Sequence, residues 1–372
     1  MTATTNTEPG PLLSGLPTAQ HDGNIQSTAA DPLPAKLFNE KGELQRPASQ
    51  FRNWISRVPG ARFSPEKGRY HLYVSYACPW AHRTLIVRKL KGLEEVIGVT
   101  VVHWHMSMVD SWRFVREGED QGEDIEGKRG EDTNYNVGPD PLHIDQGVER
   151  LPDLYRLAMK GGKYEGRFTV PVLWDKKEET IVSNESSEIL RMLDSEFEFV
   201  EGVDATRYKS VDLYPKELRQ EIDEANAWMY ERVNNGVYRC GMAKTQTAYH
   251  TAMTELFSSL DRIEEHLSSV SSSGPYYFGN TLTEVDVRLY VTIVRFDPVY
   301  VNIFKTNKAM IRTGYPAIHK WLKGLYWNEK AFGGTTNMRH IKGHYFESLT
   351  VLNPSGIVPE GPIPNVVGLD ER

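Results

Sequence analysis

Cysteine is scarce in this chain, since only Cys78 and Cys240 occur among its 372 residues. Two cysteines exclude a disulfide framework and favour a reducing compartment. No apolar run approaches the roughly 18 consecutive residues of a membrane-spanning helix. Residues 1–25 lack the apolar core of a signal peptide, and the first arginine is Arg46, which is untypical of a mitochondrial presequence. We therefore expect a cytoplasmic protein without a membrane partner.

The chain also lacks an excess of basic residues. Its formal net charge is −7, and the segment Glu117–Asp132 alone holds eight acidic and two basic residues. Nucleic-acid binding needs a basic face, so no nucleic-acid partner is expected. The glycines and charges of Glu117–Asp132 predict a solvated loop, with a partner-binding segment as the less favoured alternative.

The remaining patterns divide the chain into four parts. Residues 1–50 are rich in threonine, serine, proline and glycine, which predicts a poorly ordered extension. Residues 51–205 alternate strand and helix patterns, and residues 206–346 carry long amphipathic segments that predict an all-helical domain. Residues 347–372 form a tail. The elements predicted within these parts are a strand at His71–Ser75, a helix after Cys78, a strand at Val96–Val102, a helix around Leu151–Ala158, a hairpin of Phe168–Trp174 with Thr180–Val182, a helix around Ile189–Leu193, and helices at Glu217–Val233 and Thr247–Val270.

The order β-α-β-α-β-β-α, with Pro171 entering the third strand, is that of a thioredoxin-like α/β domain. The fold class is therefore an N-terminal thioredoxin-like domain followed by an all-α C-terminal domain. A helix start is encoded in the second domain at Leu282–Val287. Thr283 is the predicted N-cap there, and Asp286 takes the reciprocal position that Glu or Gln usually has.

Cys78 stands at the junction between the first strand and the first helix. Pro79 has a fixed φ and no N–H to satisfy, so it fits the first helical turn and predicts Cys78 at the N-cap. Unpaired N–H groups and the helix dipole stabilise a thiolate there and lower the cysteine pKa, and His82 and Arg83 would add positive charge. Ala81 occupies the place where a dithiol motif has its second cysteine. The sequence therefore predicts a single nucleophile, with a small buried residue as the alternative.

These features together resemble the cytosolic glutathione transferases. More narrowly, the chain is similar to the glutathionyl-hydroquinone reductases, the Xi class, which is related to the Omega class. The motifs are Cys-Pro-Trp-Ala-His-Arg at 78–83, Thr-Val-Pro-Val-Leu-Trp-Asp at 169–175, Ser-Asn-Glu-Ser at 183–186, Asn-Asn-Gly-Val-Tyr at 234–238 and Val-Arg-Phe-Asp-Pro-Val-Tyr at 294–300. The resemblance covers residues 50–365 and implies glutathione as co-substrate, no metal, and a homodimer.

The resemblance also implies a glutathione site composed of Trp112, Arg167, Val170, Glu185 and Ser186. Val170 would offer its backbone to the cysteinyl group and precedes a proline expected in cis. A helix N-terminus with Ser186 suits the glutamyl carboxylate, and Glu185 suits the ammonium. The Ser-Asn pair before them also fits a plain helix cap. Arg167 would pair with a carboxylate, although an exposed arginine beside a glycine is more often solvated.

Tyr238 and Tyr300 match tyrosines that line the second-substrate pocket of the family. On sequence alone each would be a packing residue, because the chain has 18 tyrosines. The implied reaction begins when the Cys78 thiolate attacks the sulfur of an S-glutathionyl hydroquinone. The ring leaves and is protonated, and glutathione then resolves the mixed disulfide to give hydroquinone and glutathione disulfide.

Two other functions remain open at this point. An Omega-like thioltransferase or dehydroascorbate reductase would share the chemistry of Cys78 without depending on Tyr238 and Tyr300. A non-catalytic glutathione-binding scaffold would be favoured by a Cys78 pKa near the ordinary value of about 8.5.

Two histidine pairs are weaker candidates for a metal site. His103 and His105 would share one face of a strand, but no third ligand follows at a suitable spacing. His340 and His344 lack the acidic partner of a zinc-peptidase motif. Both pairs are interpreted as structural.

Two features depart from the family pattern. The acidic segment Glu117–Asp132 is longer than expected, and Asp110-Ser111 stands before Trp112 where a glycine is more usual. Entry to the glutathione site is therefore expected to differ.

Overall fold

The computed structural model describes residues 37–119 and 135–366. The elements of the first domain are β1 (Tyr70–Val74), α1 (Pro79–Leu90), β2 (Gly98–Val101), β3 (Tyr135–Asn136), α2 (Leu151–Ala158), β4 (Val172–Asp175), β5 (Thr180–Ser183) and α3 (Ser186–Ser195). The strands form one sheet in the order β3-β2-β1-β4-β5. β1 and β3 run parallel to β2, whereas β4 pairs antiparallel with β1 and β5. β1 is buried along its whole length, so the sheet centre forms the core of this domain.

This arrangement confirms the thioredoxin-like order and corrects three details of it. The two-residue strand β3 was not predicted, and β2 is shorter than Val96–Val102. The third predicted strand begins at Val172 and not at Phe168. Residues 168–171 form no strand, and the carbonyl oxygen of Thr169 accepts from the Tyr155 hydroxyl at 2.8 Å. The predicted hairpin is present as β4 and β5.

The second domain is helical, as predicted. Its helices are α4 (Ala205–Lys209), α5 (Arg219–Met229), α6 (Gly236–Met242), α7 (Gln246–Val270), α8 (Glu284–Arg295), α9 (Val301–Ile303), α10 (Ile311–Gly314), α11 (Pro316–Asn328), α12 (Lys330–Gly333) and α13 (Met338–Gly343). Three wider π turns interrupt them, at Tyr230–Asn234, Phe296–Tyr300 and His344–Ser348. The first of these turns replaces the C-terminal end of the helix predicted at Glu217–Val233. No helix of the described residues is long and apolar enough to span a membrane.

The start of α8 follows the sequence prediction. The Thr283 hydroxyl accepts from the N–H of Val285 at 3.3 Å, and Asp286 accepts from the N–H of Thr283 at 3.0 Å. Both residues are fully buried, so this capping box lies inside the core and not at the surface. Helix α8 packs against α1 and thereby joins the two domains in one continuous apolar core.

Residues 37–50 lie against the body of the protein, although the sequence assigned them to the extension. Leu37 is buried. The carbonyl of Gly42 accepts from the N–H of Lys244 at 3.0 Å, and the Thr245 hydroxyl donates to the carbonyl of Lys41 at 2.9 Å. We call residues 37–50 the N-terminal arm. The rest of the predicted extension, residues 1–36, lies outside the described residues.

The C-terminal tail also packs on the helical domain as far as residue 366. The Asn365 side chain donates to the carbonyl of Ile293 at 2.9 Å, and the Trp327 indole donates to the carbonyl of Val366 at 2.9 Å. Asn365 and Val366 are both buried. This part of the tail is therefore integral to the helical domain.

Candidate active site

Cys78 occupies the predicted position at the N-cap of α1, with Pro79 as the first helical residue. The thiol is half-buried and donates to the carbonyl oxygen of Val170 at 3.6 Å. The loop before it is held by Arg295 of α8, whose guanidinium donates to the carbonyls of Tyr76 at 2.8 Å and Ala77 at 3.1 Å. Each domain therefore contributes to the placement of the sulfur atom.

The predicted depression of the Cys78 pKa is wrong for the ligand-free protein. Burial raises the pKa of this thiol, and this effect outweighs the opposing N–H groups of Ala81 and Trp80 and the charges of Arg295 and Arg46. The sequence argument counted the helix N-terminus but not the desolvation of the thiolate, which disfavours its charged form.

The charges that act on the Cys78 thiol are those of Arg295 and Arg46, and not those of His82 and Arg83 as predicted. Arg295 has only donors, so its contact of 3.2 Å with Nδ1 of His82 makes that atom an acceptor, and Nε2 then donates to Thr335 at 2.9 Å. Arg83 is buried over the ring of Trp80, 4.5 Å from its centroid, and burial lowers its pKa to about 9.

A cavity of about 430 Å³ brings together four of the five predicted glutathione-binding residues, namely Arg167, Val170, Glu185 and Ser186. The Val170–Pro171 peptide bond is cis, as expected. We call this cavity the peptide cleft.

Glu185, and not the Ser-Asn pair before it, is the N-cap of α3. Its carboxylate accepts from the N–H of Ser187 at 3.1 Å and from the hydroxyl of Ser49, on the N-terminal arm, at 3.0 Å. Burial by itself would raise the pKa of Glu185, but these hydrogen bonds outweigh it and lower the pKa. The carboxylate is therefore ionised at neutral pH and can bind a cation at the mouth of α3.

A second cavity, of about 210 Å³, adjoins the peptide cleft and contains Cys78 in its wall. Its other lining residues are mostly apolar or aromatic and include Met106, Met108, Trp112, Tyr238, Met242, His344 and Tyr345. Arg46, Trp80, Arg167, Thr169 and Val170 line both cavities. We call the second cavity the aromatic pocket. Trp112, which the resemblance assigned to glutathione, lies in its wall.

Three tyrosines form a connected group beside the aromatic pocket. The Tyr345 hydroxyl lies 2.5 Å from that of Tyr238 and 3.1 Å from that of Tyr300. Tyr300 is fully buried and lies behind the wall of the pocket, where its hydroxyl interacts with those of Tyr345 and Tyr238. Burial raises the pKa of all three phenols. They therefore keep their protons at neutral pH and can donate them to a bound molecule.

Trp112 is positioned by two local features. Its ring stacks on that of His344 with centroids 4.8 Å apart. Ser111, which replaces the more usual glycine, has φ 66°, in the left-handed region that glycine adopts most easily. The departure in sequence therefore keeps the glycine-like backbone conformation.

The two histidine pairs contribute in other ways than as metal ligands. Burial lowers the pKa of His344 to about 4, so this ring is a neutral wall of the aromatic pocket. His103 and His105 lie beyond the end of β2, so they do not share a strand face as predicted. Within the described residues, no three histidine, cysteine or acidic side chains form a group that could hold a metal ion.

The predicted acidic loop lies mostly outside the described residues. Of the segment Glu117–Asp132, only residues 117–119 are described. Glu119 pairs there with Arg113, with 2.5 Å between carboxylate and guanidinium. This ion pair and the N–H of Arg116 lower the pKa of Glu119 to about 2.

Three residues of the site were not found from the sequence, namely Arg46, Arg295 and Tyr345. Arg46 lay in a segment whose composition predicts disorder. Arg295 lay within a quoted motif but had no assigned role. Tyr345 was one of 18 tyrosines, and no local signal distinguished it.

Comparison with family models agrees with this architecture. The model described as "Glutathione S-transferase, N-terminal domain" matches residues 77–196, and the model described as "Glutathione S-transferase, C-terminal domain" matches residues 246–324. The first match contains Cys78 and most of the peptide cleft, and the second contains the whole of α7 and α8.

The chain is also similar to curated proteins along most of its length. It is 50% identical to "Glutathione S-transferase omega-like 2" of Schizosaccharomyces pombe, over 88% of this chain and 96% of that protein. It is 45% identical to "Glutathionyl-hydroquinone reductase YqjG" of Escherichia coli, over 86% of this chain and 89% of that protein.

Solved structures give the same result. The glutathione transferase Xi of Phanerochaete chrysosporium is 50% identical, with a TM-score of 0.78 over 90% of this chain and 97% of the other. The Xi glutathione transferase of Saccharomyces cerevisiae in complex with glutathione is 42% identical, with a TM-score of 0.78 over 88% of this chain and 99% of the other.

Proposed function

The chain belongs to the Xi class of the glutathione transferase family, and on this premise we propose that it reduces S-glutathionyl hydroquinones to hydroquinones with glutathione as the co-substrate. One observation carries the proposal: Cys78 lies in the wall of the aromatic pocket and contacts Val170, which lines both the aromatic pocket and the peptide cleft. The proposed substrate consists of a tripeptide and an aromatic ring joined through one sulfur atom. With the tripeptide in the peptide cleft and the ring in the aromatic pocket, that sulfur atom would face the thiol of Cys78.

Glutathione binding in the peptide cleft follows from the charges there. The N-terminus of α3 and the Ser186 hydroxyl suit the glutamyl carboxylate, and the ionised Glu185 suits the glutamyl ammonium. Arg167 suits the glycyl carboxylate because a guanidinium binds a carboxylate through two parallel hydrogen bonds. Val170 lies beside the sulfur of Cys78, where the cysteinyl part of the peptide has to be.

The proposed reaction consumes one further molecule of glutathione, which balances its atoms and electrons. The Cys78 thiolate attacks the glutathionyl sulfur, a disulfide forms, and the carbon–sulfur bond breaks toward the ring, which gains a proton. A second glutathione thiolate then attacks the mixed disulfide and releases glutathione disulfide and Cys78. The ring is reduced and sulfur is oxidised. Carbon becomes a feasible leaving group when the ring is in its ketone tautomer. Formation of this tautomer requires a proton transfer, which the phenols of Tyr238 and Tyr345 would carry out.

Two other functions have an observation in their favour. An Omega-like thioltransferase or dehydroascorbate reductase agrees with the omega-like name of the S. pombe relative. A non-catalytic glutathione-binding scaffold agrees with the raised pKa of Cys78 in the ligand-free protein. Neither alternative explains why three joined phenols lie next to the nucleophile.

Mass spectrometry of the products separates these functions. The protein is mixed with glutathionyl-menadiol and glutathione, beside Cys78→Ser and, as a matched control, Cys240→Ser, since Cys240 is only 2% exposed. We expect menadiol, glutathione disulfide and a glutathione adduct on Cys78 from the parent and from Cys240→Ser, and none of these from Cys78→Ser.

Other outcomes would favour the alternatives. Reduction of a simple glutathione mixed disulfide without release of menadiol would support the thioltransferase. Absence of both reactions, with glutathione still bound in calorimetry, would support the scaffold.

We also propose a cytoplasmic location, because a catalytic thiol and a glutathione co-substrate both need a reducing compartment. Both cysteines are free. The homodimer implied by the family stays a prediction, and light scattering of the purified protein tests it.

A further inference from the structure

Arg46 of the N-terminal arm lies at the boundary between the peptide cleft and the aromatic pocket, and it lines both. Its Nε donates to the buried Asn235 at 2.6 Å. The guanidinium carbon lies 4.5 Å from the ring centroid of Tyr238 and 5.1 Å from that of Trp80. One hydrogen bond and two aromatic faces, from both domains, therefore fix the guanidinium beside the proposed ring site.

This guanidinium carries a positive charge without a carboxylate partner among the described residues. Its hydrogen bond to Asn235 uses one donor, which leaves the two Nη groups available. Arg52, a few residues along the chain, is paired with Glu188. The donors of Arg295 are occupied by backbone carbonyls and by His82. Arg46 is thus an available cation at this boundary, and such a cation binds an anionic oxygen strongly.

The proposed reaction generates an anionic oxygen here. When the carbon–sulfur bond of the ketone tautomer breaks, its electron pair moves into the ring and appears on the ketone oxygen as a phenolate. Tyr238, Tyr300 and Tyr345 keep their protons, since burial raises the pKa of each. Neutral phenols can donate hydrogen bonds to the phenolate, but only a cation can balance its charge, and this effect is larger where water is excluded.

We propose that Arg46 is a catalytic residue that stabilises the phenolate oxygen of the departing hydroquinone while the disulfide with Cys78 forms. This inference rests on the proposed hydroquinone reduction. The phenolate then takes a proton from Tyr238, and solvent restores that proton. The N-terminal arm thus supplies a group of the active site that neither the thioredoxin-like domain nor the helical domain provides.

The variants Arg46→Gln and Arg46→Lys test this role, with Lys41→Gln as the matched control. Lys41 is exposed on the same arm, and its hydrogen bonds to Asn39 and Thr245 are made by its backbone N–H and carbonyl, so the control removes an equal charge without altering the arm. Three substrates are compared: an unsubstituted glutathionyl-hydroquinone, a dichlorinated one, and the mixed disulfide of glutathione and cysteamine.

We expect Arg46→Gln to lower kcat for the unsubstituted hydroquinone by about 100-fold, as for the loss of one oxyanion donor. The loss should be smaller for the dichlorinated ring, because chlorine itself stabilises the phenolate. The mixed disulfide releases no phenolate, so its kcat should change by less than about threefold. Arg46→Lys should recover part of the activity, and Lys41→Gln should resemble the parent on all three substrates.

Two results would overturn the inference. Equal losses on all three substrates would mean that Arg46 acts on the Cys78 thiolate, and a rise in KM with unchanged kcat would mean that it binds the peptide. Thermal unfolding of each variant identifies a folding defect, in which case Arg46→Lys, the more conservative change, decides the outcome. Failure of the parent protein to release any hydroquinone would refute the proposed function itself and is seen before the variants are compared.

Discussion

The Tyr345 hydroxyl lies 2.5 Å from that of Tyr238 and 3.1 Å from that of Tyr300, and Tyr238 and Tyr300 also interact through their hydroxyls. Because Tyr300 is fully buried, a proton can pass between it and the aromatic pocket by way of Tyr345 or Tyr238, which both line the pocket. The proposed general acid is therefore a chain of three phenols and not the two that the resemblance implied. Tyr345 should therefore contribute as much to catalysis as Tyr238 does.

We predict that Tyr345→Phe lowers kcat for a glutathionyl-hydroquinone by about 100-fold, because general acid–base catalysis typically contributes that much or more. Reduction of a glutathione mixed disulfide should change by less than about twofold, since a sulfur leaving group needs no proton on carbon. Steady-state kinetics on the two substrates check this.

The matched control for that variant is Tyr326→Phe. Tyr326 is half-buried on α11, its ring lies 4.9 Å from that of Trp327, and it lines neither cavity. It should behave as the parent does. Equal losses of kcat on both substrates in Tyr345→Phe would show that the hydroxyl stabilises the structure of the site and does not transfer a proton to the ring.

At the scale of elements, the π turns are the features that place the aromatic residues. Tyr230, Tyr300 and Tyr345 each lie in one of the three turns, and Tyr230 lines the peptide cleft. A π turn inserts one residue into a helix and rotates the side chains that follow, and such turns often occur at functional sites. Helical periodicity in the sequence cannot reveal that rotation.

The burial of Asp286 in the capping box of α8 makes the stability of the protein depend on pH. Asp286 accepts from the N–H of Thr283 at 3.0 Å, from the N–H of Tyr277 at 2.8 Å and from the indole of Trp321 at 2.9 Å. Burial nevertheless raises its pKa to about 6. The folded state therefore holds this proton more tightly than the unfolded chain, in which the pKa is about 3.9.

Through this raised pKa, Asp286 contributes to the free energy of unfolding. We predict that this contribution is complete below about pH 4 and is lost as the pH rises through about 6. The two pKa values correspond to a change of about 3 kcal/mol. Urea unfolding of the parent and of Asp286→Asn between pH 4 and 7 checks this. The stability difference between the two proteins should decrease over that range, and a constant difference would contradict the prediction.

At the scale of the whole molecule, Glu284 connects the two domains. Arg191 of α3 donates to it at 2.9 and 3.0 Å, and Arg288 at 2.9 Å. Asn226 of α5 adds a hydrogen bond of 2.7 Å. Glu284 is fully buried, so its charge is balanced only by these neighbours. The contact fixes α3, which carries Glu185 and Ser186, relative to the helical domain.

We predict that Glu284→Gln lowers the free energy of unfolding by about 3–5 kcal/mol, because it leaves the buried charge of Arg288 without its carboxylate partner, whereas Arg191 keeps Asp223. Glu178→Gln is the control, since Glu178 pairs with Arg62 at the surface and such pairs contribute less than about 1 kcal/mol. Chemical denaturation measures both. Equal effects of the two substitutions would contradict the assignment of Glu284 as the connection between domains.

The sequence by itself determined the features that depend on neighbours a few residues apart. Cys78 at the N-cap follows from Pro79 at the next position, and the start of α8 follows from Thr283 and Asp286, which are three residues apart. The hairpin of β4 and β5 follows from the polar turn after Asp175. Local hydrogen bonds and backbone preferences are sufficient for each of these.

Only the tertiary structure decided the chemistry of the site. The raised pKa of Cys78 comes from burial between domains, and the burial of Tyr300 behind Tyr345 comes from two turns that are distant in the chain. Arg46 and Asn235 are 189 residues apart, yet they form one hydrogen bond. Desolvation and contacts at such separations arise from packing of the whole chain, and no local pattern of residues encodes them.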